Sequence, residues 1–298
     1  MMIRTLSIVS AFKFKNIIYI CMRNHGQPMK EIEIDEFRDI LVDITEKIHQ
    51  FCSQRGLRYF IGYGSLIGAV RHKGFIPWDD DIDLGMPRPD YEIFLKTFNG
   101  TFADTEVIAP EINPHFYMPF ANVYRKGTLL KEEIATHHGF PVGVKVDLFP
   151  IDGAPADDAQ YRKRRSRIDQ WIRILFYKNV LLSHRWKKDK VLWFKTLVWK
   201  IAISPLSIPY IQRRIRALAT ANDFESSEYA DKLSFPNPGN TRVKRSVFEH
   251  YIDVEFEGHV FKAPRDYDVY QKAIYGDYLS LPPVSQRVRY HGFHAWWL

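Results

Sequence analysis

Gly64-Ser65-Leu66-Ile67-Gly68-Ala69-Val70-Arg71-His72-Lys73-Gly74-Phe75-Ile76-Pro77-Trp78-Asp79-Asp80-Asp81-Ile82-Asp83 decides the reading of this chain, because it joins a Gly-Ser turn to four aspartates within five positions. Carboxylates this dense repel one another unless a cation or a broad solvated surface offsets them. From Asp81 the order is acid, Ile82, acid, Leu84. On a strand that period of two sets both carboxylates on one face and both aliphatic side chains on the other. A pair so placed can hold Mg²⁺, and a solvated acidic loop is the alternative the run alone leaves open.

Upstream, Leu57 to Ile61 reads as a short buried strand, Gly62-Tyr63-Gly64-Ser65 as a turn and Leu66 to Arg71 as a short helix. The unit is strand, Gly-Ser turn, helix, acidic strand. Glycine admits a phosphate close to the backbone, a helix start offers unpaired N–H groups, and the Ser65 hydroxyl adds a hydrogen bond. Gly64 and Ser65 are therefore expected to grip phosphate while Asp81 and Asp83 hold its metal.

The stretch from Gly64 to Asp83 resembles the signature of the LicD family of phosphotransferases, associated with placing phosphocholine on bacterial surface glycans. Val146-Asp147-Leu148-Phe149-Pro150-Ile151-Asp152 is similar to the family's second motif, and Tyr275-Gly276-Asp277-Tyr278-Leu279-Ser280-Leu281-Pro282-Pro283 to its C-terminal one. The resemblance runs from about Met29 to His291 and implies a nucleotidyltransferase fold related to the DNA polymerase beta superfamily. There the Gly-Ser turn binds nucleotide phosphate, an Asp-x-Asp pair binds Mg²⁺, and a third acid arrives from a later strand. By motif that third acid is Asp147, so Asp81, Asp83 and Asp147 are the expected catalytic acids and metal ligands.

The surroundings of Asp147 point the same way, since Val142 to Phe149 is strand-like and mostly apolar. A buried carboxylate needs a partner, and a salt bridge to Lys145 or Arg71 is the competing explanation. Asp79, Asp80 and Asp152 either tune the site or merely turn the chain. Three carboxylates suit Mg²⁺, or Mn²⁺, a hard cation at about 2.0–2.1 Å from its oxygens in the magnesium case. Zinc is disfavoured, because Cys21 and Cys52 have no paired Cys/His spacing near them. The chemistry expected is direct in-line attack of an acceptor hydroxyl at phosphorus, with Asp147 the foremost candidate to take the proton.

Arg71, His72 and Lys73 lie where a diphosphate needs positive charge, and Arg71 and Lys73 are the first candidates. A solvated helix end before Gly74 is the other reading. Arg125 and Lys126 are weaker candidates for the same work. Arg287 and His291 follow Pro282-Pro283 at helical spacing, and the resemblance implies nucleotide or phosphate contact there. Tyr91, Phe94, Leu95 and Phe98 share one face of a helix over Pro89 to Phe98, a pattern of core packing. Aromatic cages do bind choline through cation–π contact, but composition does not say which aromatic residues would serve.

The 298 residues carry 42 Lys/Arg against 35 Asp/Glu, a net charge of +7 that is unevenly spread. Residues 161–216 hold 16 Lys/Arg and 2 Asp/Glu, or +14, which leaves the remainder at 26 minus 33, or −7. That segment mixes its cations with Trp171, Phe176, Trp193, Phe194 and Trp199 at helical spacing and predicts two or more helices. Three readings stand: a helical subdomain packed on the core, a membrane-surface segment near a lipid-linked acceptor, and, disfavoured, a nucleic-acid binder. Lys195 and Lys200 argue against a membrane span. A helix over Ile34 to Phe51 starts the fold. Residues 1–28 show no clean signal peptide, and two cysteines suit a reducing cytoplasm.

The fold class expected is α/β (α+β), a nucleotidyltransferase-like mixed sheet with helices plus a helical basic addition. Its parts are a tail (1–28), a catalytic core (29–160), a basic aromatic helical segment (161–222) and a C-terminal segment completing the catalytic domain (223–298). The resemblance implies an Mg²⁺-dependent enzyme, cytoplasmic or peripheral on the inner face of the membrane. It would transfer phosphocholine or a related phospho-alcohol from a CDP-alcohol donor, CDP-choline first, to a glycan or lipid-linked glycan, releasing CMP. Nucleotide transfer from CTP or ATP is the second expectation. A non-catalytic membrane- or RNA-binding protein with a nucleotidyltransferase-like core is the third.

Overall fold

A computed structural model describes residues 29–132, 143–180, 190–236, 241–283, 285, 287 and 293–298. Expectations for residues 1–28 and His291 lie outside the described residues. After the short strand β1 (Lys30–Glu31), helix α1 (Ile34–Arg55) buries Phe37, Ile40, Leu41, Ile44, Ile48 and Phe51 on one face. Burying a side chain of this kind is worth about 1.5–3 kcal/mol, so that face fixes the helix on the sheet. Gly56, at φ 64°, ends it in the left-handed conformation that glycine adopts without strain.

The strand expected over Leu57 to Ile61 is only two residues long, β2 (Phe60–Ile61), and helix α2 (Tyr63–His72) begins at once. Gly64 and Ser65 therefore lie inside the first turn of α2, not in a turn ahead of it. Strand β3 (Asp83–Pro87) leads into α3 (Arg88–Thr97), β4 (Thr105–Ile108), β5 (Ala121–Arg125) and β6 (Thr128–Glu132). Asp81 precedes β3 and is not part of it, yet the alternation holds: Ile82 and Leu84 are fully buried. Tyr91, Phe94 and Phe98 are likewise fully buried, as core residues.

Strand β7 (Lys145–Ala154) is the axis of the molecule. It pairs in parallel with β3 and antiparallel with β5, inside a seven-stranded mixed sheet ordered β2-β3-β7-β5-β4. Beyond α4 (Asp158–Asn179), α5 (Lys190–Ala202) and α6 (Ile208–Ala219), strands β8 (Tyr229–Asp231) and β9 (Val243–Lys244) extend that sheet from the far half of β7. Among the described residues the basic segment thus holds three helices. α4 and α6 pack through Tyr161, Ile168, Ile172, Leu175, Ile211 and Ile215.

The hairpin β10 (Tyr251–Phe256) and β11 (His259–Pro264) braces the loop after α2. The Glu257 N–H donates to the Lys73 carbonyl, and its carboxylate accepts from the Phe75 N–H, both at 2.8 Å. A Cβ at Gly74 would press on that carboxylate, so a larger residue there would have to displace the Glu257 side chain from the Phe75 N–H. Helix α7 (Tyr267–Tyr275) and strand β12 (Phe293–Trp297) complete the described chain, β12 joining β1 and β6 in a separate antiparallel sheet.

Candidate active site

Register places the acids. Asp83 on β3 stands level with Asp147 on β7, and Asp147 stands level with Asn122 on β5. Adjacent strands lie about 4.8 Å apart and residues level with each other share a face, so these three side chains form one row across the sheet. Asp147 Oδ1 accepts from Asn122 Nδ2 at 2.6 Å and from Lys145 Nζ at 2.8 Å. The salt bridge weighed against a site role is therefore present, from Lys145 two residues before Asp147 on the same strand.

The Gly-Ser element is tied to the row. The Gly62 N–H donates to the Asp83 carbonyl, and the Asp83 N–H donates to Ser65 Oγ, each at 2.9 Å. Ser65, 3% exposed, thus uses its oxygen to position Asp83, and its hydroxyl proton is what it has left to donate. A Cβ at Gly64 would come within 3.0 Å of Asp79 Oδ2, so the acidic run packs against the glycine backbone. Arg38 of α1 holds that run, donating to the carbonyls of Asp79 at 2.6 Å and Pro77 at 3.3 Å.

Electrostatics single out Asp83. Burial, then the charges of Asp81 and Asp147, push its carboxyl well above the ordinary range, while Lys232 opposes them. Lys232 was invisible to sequence reasoning, because a lone lysine after β8 carries no motif. Its ammonium lies 3.5 Å from the Tyr63 ring centroid, 4.3 Å from Phe149 and 4.5 Å from Phe235, an internal cation–π box. Burial lowers it to about 8, against the raising influence of Asp83 and Asp231. Tyr63 itself takes φ 53° at the head of α2, held by Gln271 Nε2 at its carbonyl (2.8 Å) and by the Tyr270 hydroxyl at its own (2.7 Å). Asn122 had a faint signal, one amide in the apolar run Phe120 to Tyr124.

The C-terminal motif folds against the first. Arg71 donates to the carbonyls of Tyr278 (3.3 Å) and Ser280 (3.4 Å), and Arg287 donates to that of Pro282 (2.9 Å) while lying over the Trp78 ring at 5.6 Å. Burial and the like charge of Arg287 lower Arg71, so two guanidiniums gather beside the acidic run. Tyr275 lies near as well: desolvation, then Asp83, Asp81 and Asp79, raise its phenol.

Other expected residues fall elsewhere. Lys73 is exposed and ends α2 in the left-handed conformation at φ 60°, the helix-end reading weighed against phosphate contact. Arg125 pairs with Asp43 (2.7 Å) and Asp104 (2.6 Å), and Lys126 with Glu106 (3.2 Å), so both cations are already engaged. Asp152 is buried against Arg88 at 2.6 Å and belongs to the scaffold.

Asp81, Asp83 and Asp147 offer hard oxygens of the kind Mg²⁺ takes, and the charges of Asp81 and Asp147 add to the burial that raises Asp83. Among the described residues no group of three His, Cys, Asp or Glu side chains is so placed that it could hold a metal ion.

A mixed sheet that sets two aspartates level beside a Gly-Ser helix start defines a nucleotidyltransferase-type domain. Residues 56–171 match the family described as LicD/FKTN/FKRP, nucleotidyltransferase domain, so the chain carries a LicD-type domain. It is 27% identical over 273 residues to the lipopolysaccharide cholinephosphotransferase LicD of Haemophilus influenzae, covering 88% of this chain and 97% of that protein. It is also 58% identical over 31 residues to the ribitol 5-phosphate transferase FKRP of Homo sapiens, 10% of this chain and 6% of that protein. An uncharacterized protein of Rickettsia prowazekii, RP689, is 41% identical over 56 residues, 19% of this chain and 21% of that one.

Proposed function

We propose that this chain transfers phosphocholine, or a related phospho-alcohol, from a CDP-activated donor to a hydroxyl of a surface glycan or its lipid-linked precursor. The observation that carries the reading is the level pair Asp83 and Asp147, tied through Ser65 to the Gly-Ser helix start, in a chain aligned over most of its length with a cholinephosphotransferase. A nucleotide-activated donor implies action on the cytoplasmic side.

In this proposal the diphosphate lies between the start of α2 and the guanidiniums of Arg71 and Arg287, which supply cationic hydrogen-bond donors. The acceptor oxygen forms a bond to the phosphorus that bears the alcohol. The bond from that phosphorus to the bridging oxygen breaks, and CMP leaves with that oxygen. The acceptor's proton passes to Asp147, which Asn122 and Lys145 hold in one orientation. Asp81, Asp83 and Asp147 would hold Mg²⁺, or Mn²⁺, whose part is to neutralise charge on the phosphates and on the attacking oxygen. Lys232 adds a fixed positive charge beneath the acids.

Calorimetric binding with Mg²⁺ to CDP-choline, CDP-ethanolamine, CDP-ribitol, CDP-glycerol, CTP and ATP tests the reading. Tighter, Mg²⁺-dependent binding of one CDP-alcohol than of CTP supports it and names the cargo, CDP-choline being expected. Preference for CTP or ATP moves the assignment to nucleotide transfer, and no binding at all returns the non-catalytic alternative.

A further inference from the structure

Helix α5 is built inside out. Phe194, Val198 and Ile201, at i, i+4 and i+7, share one face and are 60, 49 and 64% exposed, while Trp199, 53% exposed, lies further round the helix on the flank that meets α4. The opposite face carries the polar groups. Thr196 is buried, its hydroxyl donating to the Leu192 carbonyl at 2.7 Å. The Lys200 ammonium donates to the carbonyls of Tyr177 (2.8 Å) and Lys178 (3.1 Å), at the end of α4 where helix carbonyls lack intrahelical partners. The Trp199 ring stacks on Tyr177, planes 10° apart, fixing the helix in this orientation. A helix held to α4 by Lys200 and Trp199, with Phe194, Val198 and Ile201 turned to water, presents an interaction surface.

Charge selects the occupant. The segment 161–216 carries +14 while the rest of the chain carries −7, and Lys190 and Lys195 of α5 are both exposed. Two copies face to face would oppose like charges, whereas an anionic lipid surface complements them. Among the described residues no helix is long and apolar enough to cross a membrane. At 1.5 Å per residue, α5 with its 13 residues is too short for a hydrocarbon core of about 30 Å, so it can only lie in the interface plane.

We propose that this face of α5 docks the protein on an anionic bilayer surface. Phe194, Val198 and Ile201 enter the acyl boundary, Trp199 sits at headgroup level, and the cations of the segment meet the lipid phosphates. A surface helix of this kind would hold the active site beside a lipid-linked acceptor, but the docking stands on binding alone and not on the phosphotransfer reading.

The test is sedimentation of the full-length chain with phosphatidylcholine vesicles, with and without phosphatidylglycerol. The chain should bind the anionic vesicles at least about tenfold more tightly, with salt weakening the difference. Phe194→Ser combined with Ile201→Ser should reduce that binding about tenfold or more, and Lys195→Glu should weaken it less. Brominated acyl chains should quench tryptophan fluorescence in the unaltered protein, a readout that needs no variant to fold. Equal or absent sedimentation with both vesicle types, or undiminished binding by the double variant, overturns the proposal. So does a wild-type dimer that the double variant dissociates, which assigns the face to a second copy. CDP-alcohol binding is measured separately, so failure here leaves that reading intact.

Discussion

The hydroxyl oxygen of Ser65 accepts the backbone N–H of Asp83 at 2.9 Å, joining the first turn of α2 to the first residue of β3. The start of α2 and the acidic strand are thus one unit, and moving either moves both. Ser65→Ala leaves a part-buried N–H unpaired, a loss of about 1–3 kcal/mol. Urea unfolding should show that loss, and turnover should fall. Unaltered stability would mean that the hydroxyl acts on ligand alone.

Asp81→Asn and Asp83→Asn should each abolish metal-dependent transfer while leaving the circular dichroism spectrum unchanged. Asn122→Ala, which frees one side of Asp147, should weaken Mg²⁺ binding or activity by about 10–100-fold, the range for residues that orient metal ligands. Full turnover in Asp83→Asn would remove the row from the chemistry.

Lys232 gives a pH dependence. Its folded value of about 8 lies below the ordinary lysine value of about 10.4. Between the two, the unfolded chain holds a proton that the folded chain has lost, so stability should rise as pH increases from about 8 to about 10.4. The cost of the buried charge is fully present below pH 8. Lys232→Met should flatten this rise in unfolding experiments across that range and should also slow transfer. A rise of the same size in the variant would acquit Lys232.

Asp152 is expected to matter for folding and not for chemistry. Removing one partner of the buried Arg88–Asp152 pair costs about 3–5 kcal/mol, since the other charge is stranded. Asp152→Ala should unfold at lower denaturant concentration, and Arg88→Met added to it should restore much of the loss. Lost turnover at native stability would instead return Asp152 to the site.

Much of this was legible in the chain. The alternation Asp81, Ile82, Asp83, Leu84 fixed which side chains go inward, because a period of two is a property of extended backbone whatever it packs against. The helix over Ile34 and the core face of Tyr91, Phe94 and Phe98 were equally local, since apolar spacing and capping act within a few residues. The match of Gly64 to Asp83 with one family was readable for the same reason, as one contiguous run.

What only the tertiary structure decided concerns residues far apart in sequence. The register of β3, β7 and β5 made a row of Asp83, Asp147 and Asn122, and the return of β8 brought Lys232 beneath it. Ion pairing committed Arg125, Lys126 and Asp152 to the scaffold, and the docking of α5 on α4 by Lys200 and Trp199 left Phe194, Val198 and Ile201 facing outward. Sequence by itself determines backbone conformation and the identity of the charges. Which charges meet depends on strand pairing and packing, whose energies come from contacts between distant segments and leave no periodic trace along the chain.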